Sequence, residues 1–175
     1  MPKRYIMTAF GQDRVGIVAD ITQVMYDNGC NLEDSSMTRL ADEFALILLF
    51  SSTDPELEGK LDLACRRLER EKGLSTFFRS LEKESPESLE SSPTHRLHIE
   101  GIDQCGIVYK VSRYMTQNNI NIVTLRSKRS FSPQSGTAIY TIDIEVEVPD
   151  SLTDDTLRKG LRKVGDELHV DIKVS

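Results

Sequence analysis

The segment Gly11-Gln12-Asp13-Arg14-Val15-Gly16-Ile17-Val18 carries residue types suited to a small polar ligand. Glycine lets a ligand approach the backbone closely, amides at the start of a helix favour an anion, and a nearby carboxylate can hold a cation. Ninety residues further on the pattern returns as Gly101-Ile102-Asp103-Gln104-Cys105-Gly106-Ile107-Val108. The same shift pairs Met25 with Met115, Asn28 with Asn118 and Asn31 with Asn121, giving eight identities in the 21 positions from Gly11 to Asn31. Such repetition marks a duplicated structural unit.

If Asp13 and Asp103 cap a helix, Gly16 and Gly106 fall in its first turn, where glycine costs roughly 0.5–1 kcal/mol relative to alanine. Two roles would offset that cost. The missing side chain either admits a ligand to free amides or relieves crowding against a neighbouring strand, and both readings stay open. Asn31 and Asn121 open the following strand and are expected beside the turn, where their amides either orient a ligand or stabilise the turn itself. The candidate ligand-binding set is therefore Gly11, Asp13, Arg14, Val15, Gly16, Ile17, Val18 and Asn31, with Gly101, Asp103, Gln104, Cys105, Gly106, Ile107, Val108 and Asn121 in the second copy.

The hydrophobic period in each copy alternates between two and 3.6 residues. A strand over about Arg4 to Phe10 precedes a helix with Ile17, Val18, Ile21, Val24 and Met25 on one face, stopped at Asn28-Gly29. Strands from Asn31 to about Arg39 and from Phe44 to Ser51 lead to a second helix. That helix starts at Asp54-Pro55 and stops at Gly73, before a closing strand through Phe77 and Phe78. The second copy repeats the order, and Ile142, Ile144, Val146 and Val148 alternate with Asp143, Glu145 and Glu147 as one buried and one wet face. Leu57, Leu61, Ala64 and Leu68 recur at an offset of 100 as Leu157, Leu161, Val164 and Leu168. The expected fold class is α+β: two tandem ferredoxin-like βαββαβ domains, each with its helices on one face of an antiparallel sheet. The first domain spans 1–81 and the second 95–175. A Ser-, Glu- and Pro-rich linker over 82–94 joins them, too polar to offset its ordering entropy by burial.

Composition narrows the chemistry. The 175 residues hold 22 Lys+Arg against 28 Asp+Glu, a net charge of −6, with 38% hydrophobic residues. That is a globular composition, and its charge does not favour direct nucleic-acid binding. The single basic cluster, Arg126-Ser127-Lys128-Arg129, has only Phe131 nearby as an aromatic and reads as a solvated strand end. The longest apolar run, Phe44 to Phe50, is seven residues, against roughly 20 for a membrane span. No secretory signal precedes Gly11, so a cytoplasmic location is expected. Cys30, Cys65 and Cys105 fit neither a disulfide framework nor a zinc site and read as buried small apolar residues. His95 and His98 lie three apart on a strand, on opposite faces, so they do not converge on a metal. No Ser-His-Asp set or long phosphate loop can be assembled, and no catalytic residues, metal or cofactor are assigned.

On Asp13–Val18, Ile21-Thr22, Gly29–Ser35 and Glu43-Phe44 the chain resembles the ACT domain, a regulatory module that commonly binds amino acids at domain interfaces. Those residues are most similar to the first domain of glycine-cleavage-type transcriptional repressors, while the second copy matches the general ACT pattern. Many such domains have proline where Val15 and Cys105 stand, and Ile122 to Arg126 lacks the Glu-Asp-Ser of the first copy. The resemblance implies a non-enzymatic regulator that binds a small amino acid such as glycine or serine and acts on a transcription regulator by protein contact. Binding would alter how two domains or two chains pack, and a homodimer is the expected assembly. Two other readings compete with it. One is a ligand-independent dimerisation or assembly module. The other is a small ferredoxin-like enzyme such as an acylphosphatase, whose phosphate loop Gln12 to Val18 do not match.

Overall fold

The protein is described by a computed structural model over residues 2–81 and 94–175. Residues 82–93, which hold nearly all of the expected linker, lie outside the described residues, and Thr94 already belongs to a strand. The chain divides into two compact units, one within 1–85 and one within 86–175.

The first unit runs β1 (Lys3–Gln12), α1 (Ile17–Asp27), β2 (Asn31–Leu40), β3 (Glu43–Ser52), α2 (Leu57–Lys72) and β4 (Ser75–Ser80). The second runs β5 (Thr94–Ile102), α3 (Ile107–Gln117), β6 (Asn121–Phe131), β7 (Ala138–Glu147), α4 (Asp154–Leu168) and β8 (Val170–Val174). Both sheets are antiparallel in their pairings, with orders β2-β3-β1-β4 and β6-β7-β5-β8. These are two tandem ferredoxin-like βαββαβ domains. Even the irregularities repeat: a bulge interrupts β2 between Leu32 and Asp34, and β6 between Ile122 and Thr124.

Burial follows the two periods. Tyr5, Met7 and Ala9 of β1 and Phe44, Leu46, Leu48 and Phe50 of β3 point toward α1 and α2, which contribute Ile17, Ile21, Met25, Leu57, Leu61, Cys65 and Leu68 to the same core. Val18, expected on that face, is 40% exposed, because the helix turns it to the rim. In the second unit Leu97, Ile99, Ile142, Ile144 and Val146 meet Ile107, Val111, Met115, Leu157, Leu161 and Leu168. Gly160 sits within α4 because a Cβ there would lie 2.1 Å from the Tyr114 hydroxyl, whose ring is laid across this helix.

Several local expectations change. Asp13 and Asp103 do not cap the helices; Gly16 and Gly106 do, without a side-chain cap bond. Cys65 is buried and Cys30 half-buried, but Cys105 is exposed, since its turn protrudes ahead of α3. Arg126 to Arg129 do not end a strand; they lie inside β6, exposed because that strand forms a sheet edge. His95 and His98 do take opposite faces: His95 is buried with Nε2 3.0 Å from Asp154, whereas His98 lies on the open face 2.7 Å from Asp143. Among the described residues no helix is long and apolar enough to cross a membrane.

Candidate functional site

The two turns between first strand and first helix are built alike, and each uses its two glycines for different reasons. At Gly11 a Cβ would meet the Gly73 carbonyl oxygen at 2.9 Å and Leu74 at 3.1 Å. At Gly101 it would meet Val170 Cγ1 at 2.5 Å and its Cα at 3.2 Å. These two glycines let the strand pass close to the start of the fourth strand, which is a packing role. Gly16 and Gly106 instead adopt φ of 86° and 91°, with nothing within 4 Å of an added Cβ. Crowding therefore does not explain them; a left-handed backbone does, since side-chain-bearing residues enter that region only at a cost. The space beside both is open.

The left-handed residue turns the chain sharply into the helix and leaves amides without partners. The first helical bonds are donated by Asp20 to the Gly16 carbonyl and by Lys110 to the Gly106 carbonyl, each 2.9 Å. Among the described residues, the N–H groups of Val15, Gly16, Val18 and Ala19 donate to no backbone carbonyl, nor do those of Cys105, Gly106, Val108 and Tyr109. Unpaired amides at the positive end of a helix are a general setting for an anion.

Asp13 and Asp103 directly follow the preceding strands, β1 and β5. Their N–H groups donate to Asp42 at 2.8 Å and to Ala138 at 3.0 Å. Their carboxylates face arginines of the neighbouring edge strand, Arg39 at 3.2 Å and Arg129 at 2.8 Å. Sequence reasoning missed these arginines, although they are themselves related by the 90-residue shift. Arg129 also lies 5.3 Å from the centre of the Phe131 ring, as a cation–π contact.

The remaining candidates separate by role. Arg14 is held against Asp20 and also donates to its own neighbour's carbonyl, at Val15. Arg14, with Lys72 behind it, keeps the Asp20 carboxyl below the usual range. Gln104, at the equivalent position, donates its side-chain amide to the Leu168 carbonyl at the end of α4. Val15 and Cys105 project into solvent, Val18 lies at the rim, and Val108 packs partly against the second core. Ile17 and Ile107 are core residues, so only their backbones belong to the turn.

Asn31 and Asn121 are not beside their own turns. Asn31 pairs through Ser51 with Arg4 at the beginning of β1, whereas the turn follows Gln12, which pairs through Glu43 with Leu40. Eight strand residues separate the two ends, about 26 Å at ~3.3 Å per residue. The reason is topological: α1 carries the chain back along the sheet, so β2 starts where β1 starts. Asn121 donates to Glu147 at 2.9 Å, at the corresponding far end of the second sheet.

Several known proteins are similar to this chain. The model of the ACT domain matches residues 3–79. A UPF0237 protein of Methanopyrus kandleri is 36% identical over 75 residues, 42% of this chain and 83% of the relative. The glycine cleavage system transcriptional repressor of Escherichia coli K12 is 46% identical over 48 residues, 27% of this chain and 25% of that protein. Among solved structures, an unknown protein from Galdieria sulphuraria superposes with a TM-score of 0.80 at 25% identity, covering 100% of this chain and 98% of that one. A candidate glycine cleavage system transcriptional repressor gives 0.74 at 20% identity, covering 100% and 97%. With the ACT model matched over the first unit and the same βαββαβ order and glycine turn repeated in the second, the chain belongs to the ACT domain family.

Proposed function

We propose that the protein is a non-enzymatic regulator that binds a small amino acid, glycine or serine being the leading candidates, against the turns at Gly11–Val18 and Gly101–Val108. The observation that carries this reading is the open space beside two left-handed glycines, each at a helix end with unpaired amides and an aspartate alongside. The amides suit a carboxylate. Asp13 or Asp103, released from an exposed arginine, suits an ammonium group, because a surface ion pair is worth only about 0–1 kcal/mol and yields readily to a better partner.

The distance between each turn and its own asparagine adds a geometric argument. All ten residues of the edge strand β2 are exposed, and an unpaired strand edge is a template for further pairing. A second copy of the fold paired antiparallel along that edge would bring its Asn31-type residue toward the turn of the first. The site would then be shared between copies, and a ligand bound there would favour that packing over others. Regulation needs such a difference in affinity; equal binding to both arrangements shifts nothing.

The target is proposed to be a transcription regulator, reached by protein contact in the cytoplasm. The net charge of −6 argues against direct nucleic-acid binding, and the name of the Escherichia coli relative supplies the process. Calorimetry of the full chain against a panel of amino acids tests the ligand. Saturable binding that Gly16→Val and Gly106→Val abolish would support the reading. No heat at millimolar amino acid, or affinity unchanged in both variants, would refute it.

A further inference from the structure

The sheet of an α/β sandwich with helices on one side has an open second face, and the two units finish that face in opposite ways. In the first unit it carries Ile6 and Phe10 of β1, Ala45, Ile47 and Leu49 of β3, and Phe77 of β4. Strand register joins them into one patch. Thr8 stands between Ile47 and Phe77, Ile6 is opposite Leu49, and Phe10 is opposite Ala45. Phe10, Ile47 and Phe77 are 56%, 47% and 64% exposed. Contiguous exposed apolar surface of this kind marks an interaction site.

The second unit provides an internal control. Its register places Arg96 where Ile6 stands, Glu100 for Phe10, Thr141 for Ala45, Asp143 for Ile47, Glu145 for Leu49 and Lys173 for Phe77. All six apolar positions have become polar. These groups also neutralise one another: Arg96 donates to Glu145 at 3.0 Å, His98 lies 2.7 Å from Asp143, and Lys173 lies 3.5 Å from Asp171. The same backbone has one face finished for water and one that is not.

We infer that the open sheet face of the first unit is a self-association surface, covered by the same face of a second copy of the chain. Charge selects this occupant. The patch has no charged residue between Ile6 and Phe10 on β1 or between Ala45 and Leu49 on β3, and the two charges at its margins, Asp34 beside Leu49 and Arg79 beside Ile6, are of opposite sign on opposite sides of β1, as a two-fold pairing of like faces needs. Burial against the second unit's face would strip water from six polar side chains without new partners, which is costly. Apolar on apolar needs no such compensation, and a two-fold axis satisfies both copies at once. The axis runs along β1 between sheets stacked about 10 Å apart, setting Phe77 of one copy over Ile47 of the other.

Three strands about 4.8 Å apart and five residues at ~3.3 Å give the apolar patch about 240 Å², and the whole four-strand face over seven residues, β2 included, has a flat footprint of about 440 Å² per copy. Side-chain relief raises this toward the ~600 Å² per partner found at the lower end of specific interfaces. This surface lies on the opposite side of the sheet from the helices and does not depend on the amino-acid site.

Sedimentation equilibrium of the full chain tests it, with circular dichroism to confirm folding. The wild type is expected to be dimeric at micromolar concentration. Ile47→Asp and Phe77→Asp should each raise the dissociation constant at least 100-fold, whereas Thr141→Asp on the second unit's face should not change it. In a Cys105→Ser background, Thr8→Cys should crosslink between chains with a bismaleimide spanning about 10 Å, the separation of stacked sheets. A monomeric wild type, a dimer unaffected by both aspartates, or a monomer whose face is protected only by another protein would overturn the inference. Amino-acid calorimetry on the same variants separates the two proposals: a dimer that binds no amino acid fails only the ligand reading, and a monomer that binds one fails only this inference.

Discussion

Replacing Gly16 by alanine separates two explanations of that glycine by the sign of the effect. A glycine inside the first turn of a helix should gain about 0.5–1 kcal/mol on becoming alanine. The structure instead gives Gly16 a φ of 86° ahead of the helix, with nothing within 4 Å of the new methyl group. No clash is created, so the whole effect is conformational: a left-handed backbone costs a side-chain-bearing residue about 1–2 kcal/mol. For a domain of this size, that corresponds to a melting temperature lower by about 5–15 °C. Gly59 supplies the opposite case within the same unit, lying inside α2 with nothing within 4 Å and no positive φ. Gly59→Ala should stabilise by roughly 0.5–1 kcal/mol. Calorimetric melting of the full chain, with the transitions of the two units resolved, reads both variants. If Gly16→Ala stabilises as Gly59→Ala does, the left-handed turn is refuted, and with it the geometry that exposes the amides.

Other consequences are equally direct. Gly160→Ala places a Cβ 2.1 Å from the Tyr114 hydroxyl and should cost about 1–3 kcal/mol by overpacking; in a Tyr114→Ala background the penalty should vanish, which a double-mutant cycle from urea unfolding would show. His98 has its pKa raised above 6.5, mainly by its hydrogen bond to Asp143. Because the folded state favours the proton, this stabilisation is fully present below pH 6.5 and is lost as pH rises through the elevated folded value; urea midpoints measured across that range should show His98→Gln removing the dependence. Cys105, exposed, should react with a thiol reagent in the native protein, while Cys65, buried and with its thiol pKa pushed up chiefly by burial, should react only on unfolding; mass-mapped alkylation distinguishes them.

Much of the fold was legible because hydrophobic period and internal repetition are direct consequences of packing. Ile17, Ile21 and Met25 recur at helical spacing and are all buried, and Ile142, Ile144 and Val146 alternate as a half-wet strand does. The cap was less legible. Aspartate is a favoured helix cap, and nothing in one dimension reveals that Gly16 takes a left-handed conformation which starts the helix later. Asn31 was misplaced because sequence proximity to a helix end says nothing about which end of the sheet the chain has returned to.

The open face left a signal of a different kind. Phe44 to Phe50 is apolar at every position, which is the pattern of a strand covered on both sides, whereas the corresponding strand of the second unit alternates. Read only against the length of a membrane span, that run loses its meaning. Set beside Ile6, Phe10 and Phe77 in strand register, it becomes a second apolar layer with no partner within its own unit.

The account as a whole depends most on an amino acid docking at the duplicated turns. Amide chemical shifts of the isotope-labelled chain, followed while glycine or serine is titrated to millimolar concentration, address this residue by residue. Saturable shifts centred on Arg14 to Ala19 or Gln104 to Tyr109, with Asn31 or Asn121 moving at the same concentration, are the predicted result. Shifts that do not saturate, or that saturate elsewhere while both turns stay unchanged, would contradict it.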